Sequence, residues 1–214
     1  MNIMIIVPHP DDEILAFGGV IQKHKKNGDN VVVHFIEKVS DSRKKTQVLH
    51  GKEACKKLNI GFKLKNITLT DKYFDKCVAY LENEIHTFKP DILYTVFYGD
   101  NNQAHEYIFK VVKIATRVWS KFLVKKIYMG EILSSTEQSP KLQQYAFLPT
   151  LYIPLTKNEV FQKIECMKLY KEEIQTWPHP RSAGGILNLA ERRGSECKEE
   201  YAEAFVVLRD ISEL

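Results

Sequence analysis

The residues best equipped for chemistry stand close to the start of the chain, where Pro8-His9-Pro10-Asp11-Asp12-Glu13 follows an apolar run over residues 3–7. An imidazole and three carboxylates held by two prolines suit a cation. His9 and Asp12 lie three apart across a strand-to-helix turn, so both side chains can enter one crevice and offer a nitrogen and an oxygen ligand. Asp11, between them, can stand beside a metal and hold a water as general base. Glu13 falls in the first helical turn, where a carboxylate meets the positive end of the helix. A dinucleotide-binding chain would carry GxGxxG at this turn so that its backbone could approach a pyrophosphate. No such glycines occur here, which argues against a nicotinamide or flavin oxidoreductase.

Catalytic zinc usually takes three protein ligands and keeps one position open, so the pair needs a third. The loop after residues 92–97 supplies it in Asp100-Asn101-Asn102-Gln103-Ala104-His105, with His105 opening a helix. His34 stands inside a strand, and His24, His50 and His86 fall in helical patterns, which leaves His105 as the expected third ligand. The implied cofactor is one divalent metal per chain. Zinc is the first expectation, although two imidazoles and a carboxylate also suit ferrous iron. His179, held between Pro178 and Pro180, presents a rigid imidazole and is a candidate substrate contact. Ser134, Ser135 and Thr136 lack an evident base to orient them and read as loop hydrogen-bonding groups.

These residues must be carried by strand ends. Residues 3–7, 31–36 and 92–97 are apolar, β-branched runs of the kind that doubly covered parallel strands show. Between them the period turns helical. Ile14, Phe17 and Ile21 lead to Asn27-Gly28, and a second helix runs through Ala54 and Leu58 to end near Asn59-Ile60-Gly61. A third spans residues 74–88 and stops at Lys89-Pro90, and a fourth spans 108–118. From Leu151 a helix is expected through Ile164, Met167 and Ile174, then the Pro-His-Pro loop, a helix to Arg193-Gly194, and a strand over 205–208. Alternating strands and helices predict a Rossmann-like three-layer α/β sandwich with a mostly parallel sheet, whose ligands bind outside the carboxyl ends of the strands. The 214 residues are expected to form a single domain, 1–214, with the last third as its extension.

With 31 Lys+Arg against 27 Asp+Glu the chain carries a net charge of +4. The lysines are scattered in pairs, which argues against a nucleic-acid partner. Cys55, Cys77, Cys166 and Cys197 form no CxxC pair and read as free thiols in a reducing cytoplasm. The N-terminal apolar run is too short for a membrane span and has no basic flank, so no membrane partner is expected. The partner is then a small molecule, and a homo-oligomer is left open.

The sequence resembles the LmbE/PIG-L family of metal-dependent N-acetyl-sugar deacetylases, whose hallmark is an (A/P)-H-P-D-D-E loop after the first strand. Glu131-Ile132-Leu133-Ser134-Ser135-Thr136-Glu137, Pro178-His179-Pro180-Arg181-Ser182, Arg193-Gly194 and Tyr201-Ala202-Glu203-Ala204-Phe205 are similar to later motifs of one branch. The resemblance implies that His9, Asp12 and His105 bind the metal and that Asp11 is the base. The implied reaction is metal-assisted hydrolysis that removes acetyl from an N-acetylated sugar such as N-acetylglucosamine or a conjugate of it, Asp11 taking a proton from water and returning it to the departing amine. Many members carry H-x-D-H where this chain has Asn102 to His105, with Ala104 in place of the acid. Asn102 can donate a hydrogen bond to an oxyanion but cannot act as an acid. A substrate-binding Arg of the family is replaced by His50, and Arg43 in the same region is the expected compensation. Two alternatives stand beside deacetylation: a non-catalytic metal- or sugar-binding homologue, and a hydrolase of another acyl amine such as an N-formyl sugar.

Overall fold

The computed structural model describes residues 1–212. Its seven strands form one sheet in the order β3-β2-β1-β4-β5-β7-β6. β1 (Asn2–Val7) is buried on both faces, as its unbroken apolar run requires, and pairs in parallel with β2 (Asn30–Ile36) on one side and β4 (Ile92–Val96) on the other. β3 (Gly61–Lys65) and β5 (Lys126–Gly130) extend the parallel block. β7 (Tyr201–Asp210) then runs antiparallel to β5, and β6 (Leu151–Leu155) antiparallel to β7. This is the three-layer, mostly parallel α/β architecture that the alternating pattern predicts.

Strand order dictates where the helices go. The chain moves outward from β1 to β3 through α1 (Asp12–Lys26) and α2 (Ser42–Lys57). It then returns past β1 and continues the other way through α3 (Phe74–Phe88) and α4 (Gln103–Ala115). Right-handed crossovers in opposite directions put these pairs on opposite faces. α5 (Lys157–Met167) and α6 (Ala183–Ser195) join the α1 face, and α3 packs on α4. The direction reverses between β1 and β4, and a crevice opens there beyond the strands' carboxyl ends. The loops that leave β1 and β4 face each other across it.

Several boundaries differ from the sequence expectation. α4 begins at Gln103, five residues before the periodic apolar stretch, because Asn102 caps it by accepting the Ala104 N–H at 2.9 Å. Residues 151–155 form the strand β6 rather than helix; Pro154 is tolerated because this strand lies at the sheet's edge. β3 is the opposite edge and is only half-buried, which removes the apolar signature of a strand. Among the described residues no helix is long and apolar enough to cross a membrane, and all four cysteines are free thiols.

Candidate active site

α1 starts at Asp12, and the turn from β1 brings that carboxylate back over His9. Asp12 Oδ2 accepts the His9 N–H at 3.0 Å and lies 3.2 Å from His9 Nδ1. Across the crevice His105, in the first turn of α4, places Nε2 3.3 Å from the same oxygen. The two imidazole rings sit 5.5 Å apart with one carboxylate between them, and one donor atom from each of the three residues falls within 4.8 Å of the others. The donor set fits a small divalent ion. Tetrahedral ligands at about 2.0–2.1 Å from zinc lie roughly 3.3 Å from one another, close to the spacings from Asp12 to both rings. His105 adds a second indication: it is 1% exposed, yet among the described residues neither ring nitrogen makes an aligned hydrogen bond, although Asp12 and Asp100 lie 3.3 and 3.0 Å away. Buried imidazole nitrogens without partners are costly unless something else satisfies them.

Behind His105 stands Asp100, 3.0 Å from Nδ1, though not aligned for a hydrogen bond. Its carboxylate is anchored by the Asn102 N–H at 2.8 Å, the Thr136 hydroxyl at 2.6 Å and the Ser135 hydroxyl. Ser135 and Thr136 thus act as loop hydrogen-bonding groups, and they tie the loop after β5 to the one after β4. Burial opposes a charged His105, but Asp12 and Asp100 on either side raise its pKa to about 10. Burial likewise opposes a charged Asp12, and the two imidazoles overcome it, holding that carboxyl well below the usual range.

Asp11 is 1% exposed and has a φ of 129°, a conformation that a non-glycine residue keeps only when its surroundings enforce it. Two groups do so. Its N–H donates to Glu13 Oε2 at 2.9 Å, while Glu13 Oε1 accepts the hydroxyl of the fully buried Tyr170. Its side chain is gripped by Arg181, whose Nη1 lies 2.9 Å from both Asp11 Oδ2 and Glu173 Oε2 and whose Nε donates to Ser134 Oγ at 2.5 Å. Burial, with the neighbouring Asp12 charge, pushes the Asp11 pKa well above the carboxylate range, against the pull of Arg181. Burial also raises Glu13, to about 7, against the bond from Tyr170.

A cleft of about 260 Å³ opens over these groups and is lined in part by His9, Asp11, Asn102, Arg43, Glu37 and Arg181. Of the residues expected to touch substrate, Arg43 is in the cleft wall and donates to Glu173 Oε1 at 2.7 Å. Asn102 lines the same wall; its side-chain oxygen caps α4, and its amide nitrogen donates to no group among the described residues. His50 packs edge-on against Tyr170 with Nδ1 3.2 Å from Glu172, and His179 is exposed with Nδ1 accepting the Arg181 N–H at 3.1 Å. Neither is among the residues lining the cleft. Sequence reasoning missed Glu37 and Glu173. Glu37 directly follows β2, a strand-end position that the same rule could have flagged; nothing local marks Glu173.

Fold and site together define a doubly wound α/β protein with a His-Asp-His cluster at its topological switch point. The chain belongs to the PIG-L family: the family model described as GlcNAc-PI de-N-acetylase matches residues 4–116, more than half of it. Solved structures repeat the fold over almost the whole chain. The conserved protein TT1542 from Thermus thermophilus is 15% identical with a TM-score of 0.78, covering 99% of this chain and 96% of its own. GalB, the 4-carboxy-2-hydroxymuconate hydratase from Pseudomonas putida KT2440, is 14% identical with a TM-score of 0.75, covering 100% and 99%. An N,N'-diacetylchitobiose deacetylase from Pyrococcus horikoshii is 13% identical with a TM-score of 0.71, covering 97% and 83%.

Proposed function

We propose that this chain is a metal-dependent amide hydrolase that removes the acetyl group from an N-acetylated sugar or sugar conjugate, working as one domain over residues 1–214 in the cytoplasm. The observation that carries the reading is the convergence of the buried His105 and Asp12 with His9, one donor atom of each within 4.8 Å of the others, beside the raised carboxyl of Asp11. Membership in a family whose model is described as a de-N-acetylase supports amide hydrolysis. The fold alone does not choose the reaction, because it also houses a hydratase.

His9, Asp12 and His105 would hold the ion, zinc by preference for two imidazoles and one carboxylate. When bound, such an ion acidifies a water and polarises a carbonyl. The remaining chemistry belongs to the chain. Asp11 accepts the proton of the attacking water at Oδ1 or Oδ2 and returns it to the departing amine. Arg181 keeps that carboxylate ionised enough to act as a base and fixes where it points. Asn102 offers its amide nitrogen to the oxygen that gains charge, a hydrogen bond that strengthens as the transition state forms. Arg43 at the cleft wall contacts the sugar.

The test is metal content per chain by elemental mass spectrometry, on protein purified without chelator or histidine tag, beside His105→Ala. About one zinc per chain, lost in the variant, together with amine release from N-acetylglucosamine glycosides, is expected. Protein that takes up no metal even when zinc is offered overturns the reading.

A further inference from the structure

Each imidazole of the cluster has a carboxylate behind it. Asp100 stands behind His105. Behind His9 stands Glu37, at the carboxyl end of β2: its Oε1 lies 4.0 Å from His9 Nε2, on the side of the ring away from Asp12. Glu37 is 3% exposed. Its Oε1 is taken by Lys44 from the first turn of α2, and its Oε2 has no hydrogen-bond partner among the described residues. A buried carboxylate oxygen without a donor is expensive, and the carboxylate that carries it lies next to a ring nitrogen that has no other protein partner among the described residues.

We propose that Glu37 is the positioning residue for His9: it takes the Nε2–H of His9, fixes that tautomer, and so presents Nδ1 to the metal beside Asp12. The inference rests on the metal-site reading above. A ligating histidine ordinarily donates its second nitrogen to a carboxylate or carbonyl, which sets the tautomer and raises the ring's basicity. Lys44 anchors the carboxylate at Oε1, the same oxygen that lies 4.0 Å from His9 Nε2, and a rotation of the Glu37 side chain that keeps the Lys44 contact closes the gap to His9. The two histidines then use opposite nitrogens, Nδ1 of His9 and Nε2 of His105, each with a carboxylate at its back. Glu37 touches neither substrate nor reacting atoms.

The experiment is zinc affinity by competition with a chromophoric chelator, on unaltered protein, Glu37→Gln, Glu37→Ala and Lys44→Met. It is paired with long-range nitrogen-15 NMR of the histidine rings in the zinc-loaded protein, His9→Gln assigning the signal. Expected are zinc binding about tenfold weaker in Glu37→Gln and up to roughly a hundredfold weaker in Glu37→Ala, with His9 protonated on Nε2 in the unaltered protein. Lys44→Met, which keeps the carboxylate, should lose less than Glu37→Gln, and urea unfolding of the metal-free variants separates a folding defect from a metal defect. Zinc affinities within twofold of one another across the Glu37 variants, or His9 bound through Nε2, overturn the proposal. Unaltered protein that takes no zinc overturns this inference and the hydrolase reading together. Zinc binding that depends on Glu37 without amine release overturns only the hydrolase reading.

Discussion

Arg181→Met is the perturbation that separates Asp11, the proposed base, from its counter-charge. One guanidinium nitrogen bridges Asp11 and Glu173 at 2.9 Å each, and both carboxylates are at least nine-tenths buried. Removing one partner of a buried ion pair costs roughly 3–5 kcal/mol. Two features reduce that here: the Arg181 side chain is 19% exposed, and Arg43 remains on the other oxygen of Glu173. A loss of about 2–3 kcal/mol at pH 7 follows. The sign with pH is fixed by Asp11, whose folded pKa already lies above its unfolded value because of burial and rises further without Arg181. A carboxyl raised in this way favours folding while protonated, and the penalty develops as pH climbs above the unfolded value near 3.8. Urea unfolding of metal-free protein should therefore show the gap between variant and parent shrinking from pH 7 toward pH 4. In the same variant the acid limb of kcat should move to higher pH, because a larger share of Asp11 carries its proton and cannot accept another. A stability gap that stays constant with pH, joined to an unmoved acid limb, would refute the assignment of Arg181 as the counter-ion of Asp11.

Other expectations can be checked separately. Asp11→Asn should keep its zinc by elemental analysis yet lose at least about a hundredfold in amine release; loss of the metal would make Asp11 a ligand instead of a base. His34, fully buried in β2 with a pKa lowered to about 4 by burial, favours the native state only while neutral. Stability should be full above pH 6.5 and fall by roughly 3 kcal/mol on going down to pH 4; His34→Val, followed by urea unfolding, should flatten that slope. A Cβ at Gly185 would meet the Pro180 carbonyl oxygen at 2.1 Å, so Gly185→Ala should cost about 1–3 kcal/mol. It should also lower kcat by displacing the loop that carries Arg181, and unchanged values for both would exclude that coupling.

The parts of this molecule legible in the sequence are those whose physics is local. β1 is read from its unbroken apolar run, the turn from its prolines and carboxylates, and His105 from its place after a second such strand. Edge strands are harder. β3 and β6 are short and only partly buried, so neither carries the periodicity that burial writes into a sequence. The strand-end rule would have reached Glu37, since it follows β2 as directly as His9 follows β1, but its value lies in a contact with His9 that only strand adjacency creates. Arg181 and Tyr170 reach Asp11 and Glu13 across 170 and 157 residues. Their roles depend on how α5, α6 and the loop between them dock, and side-chain spacing along the chain carries no trace of that.

Asp11 and Asp12 show how adjacent, chemically identical side chains come to suit the different duties proposed for them. Asp12 begins α1 and meets two imidazoles, which outweigh its burial and hold it ionised as an electron-pair donor. Asp11, one residue earlier, has a positive φ and meets Arg181 in a site where burial and the charge of Asp12 itself raise its proton affinity. Two carboxyls whose environments push their pKa values apart are what a ligand and a proton carrier require of one loop. The backbone conformation makes the division, and an unstrained residue at position 11 would lose it. That explains why Glu13 and Tyr170, whose side chains hydrogen-bond to none of the three proposed metal ligands, are buried with such complete mutual satisfaction beneath the turn. They hold the Asp11 backbone in a conformation worth of order 1–3 kcal/mol of strain, and the separation of roles follows from that hold.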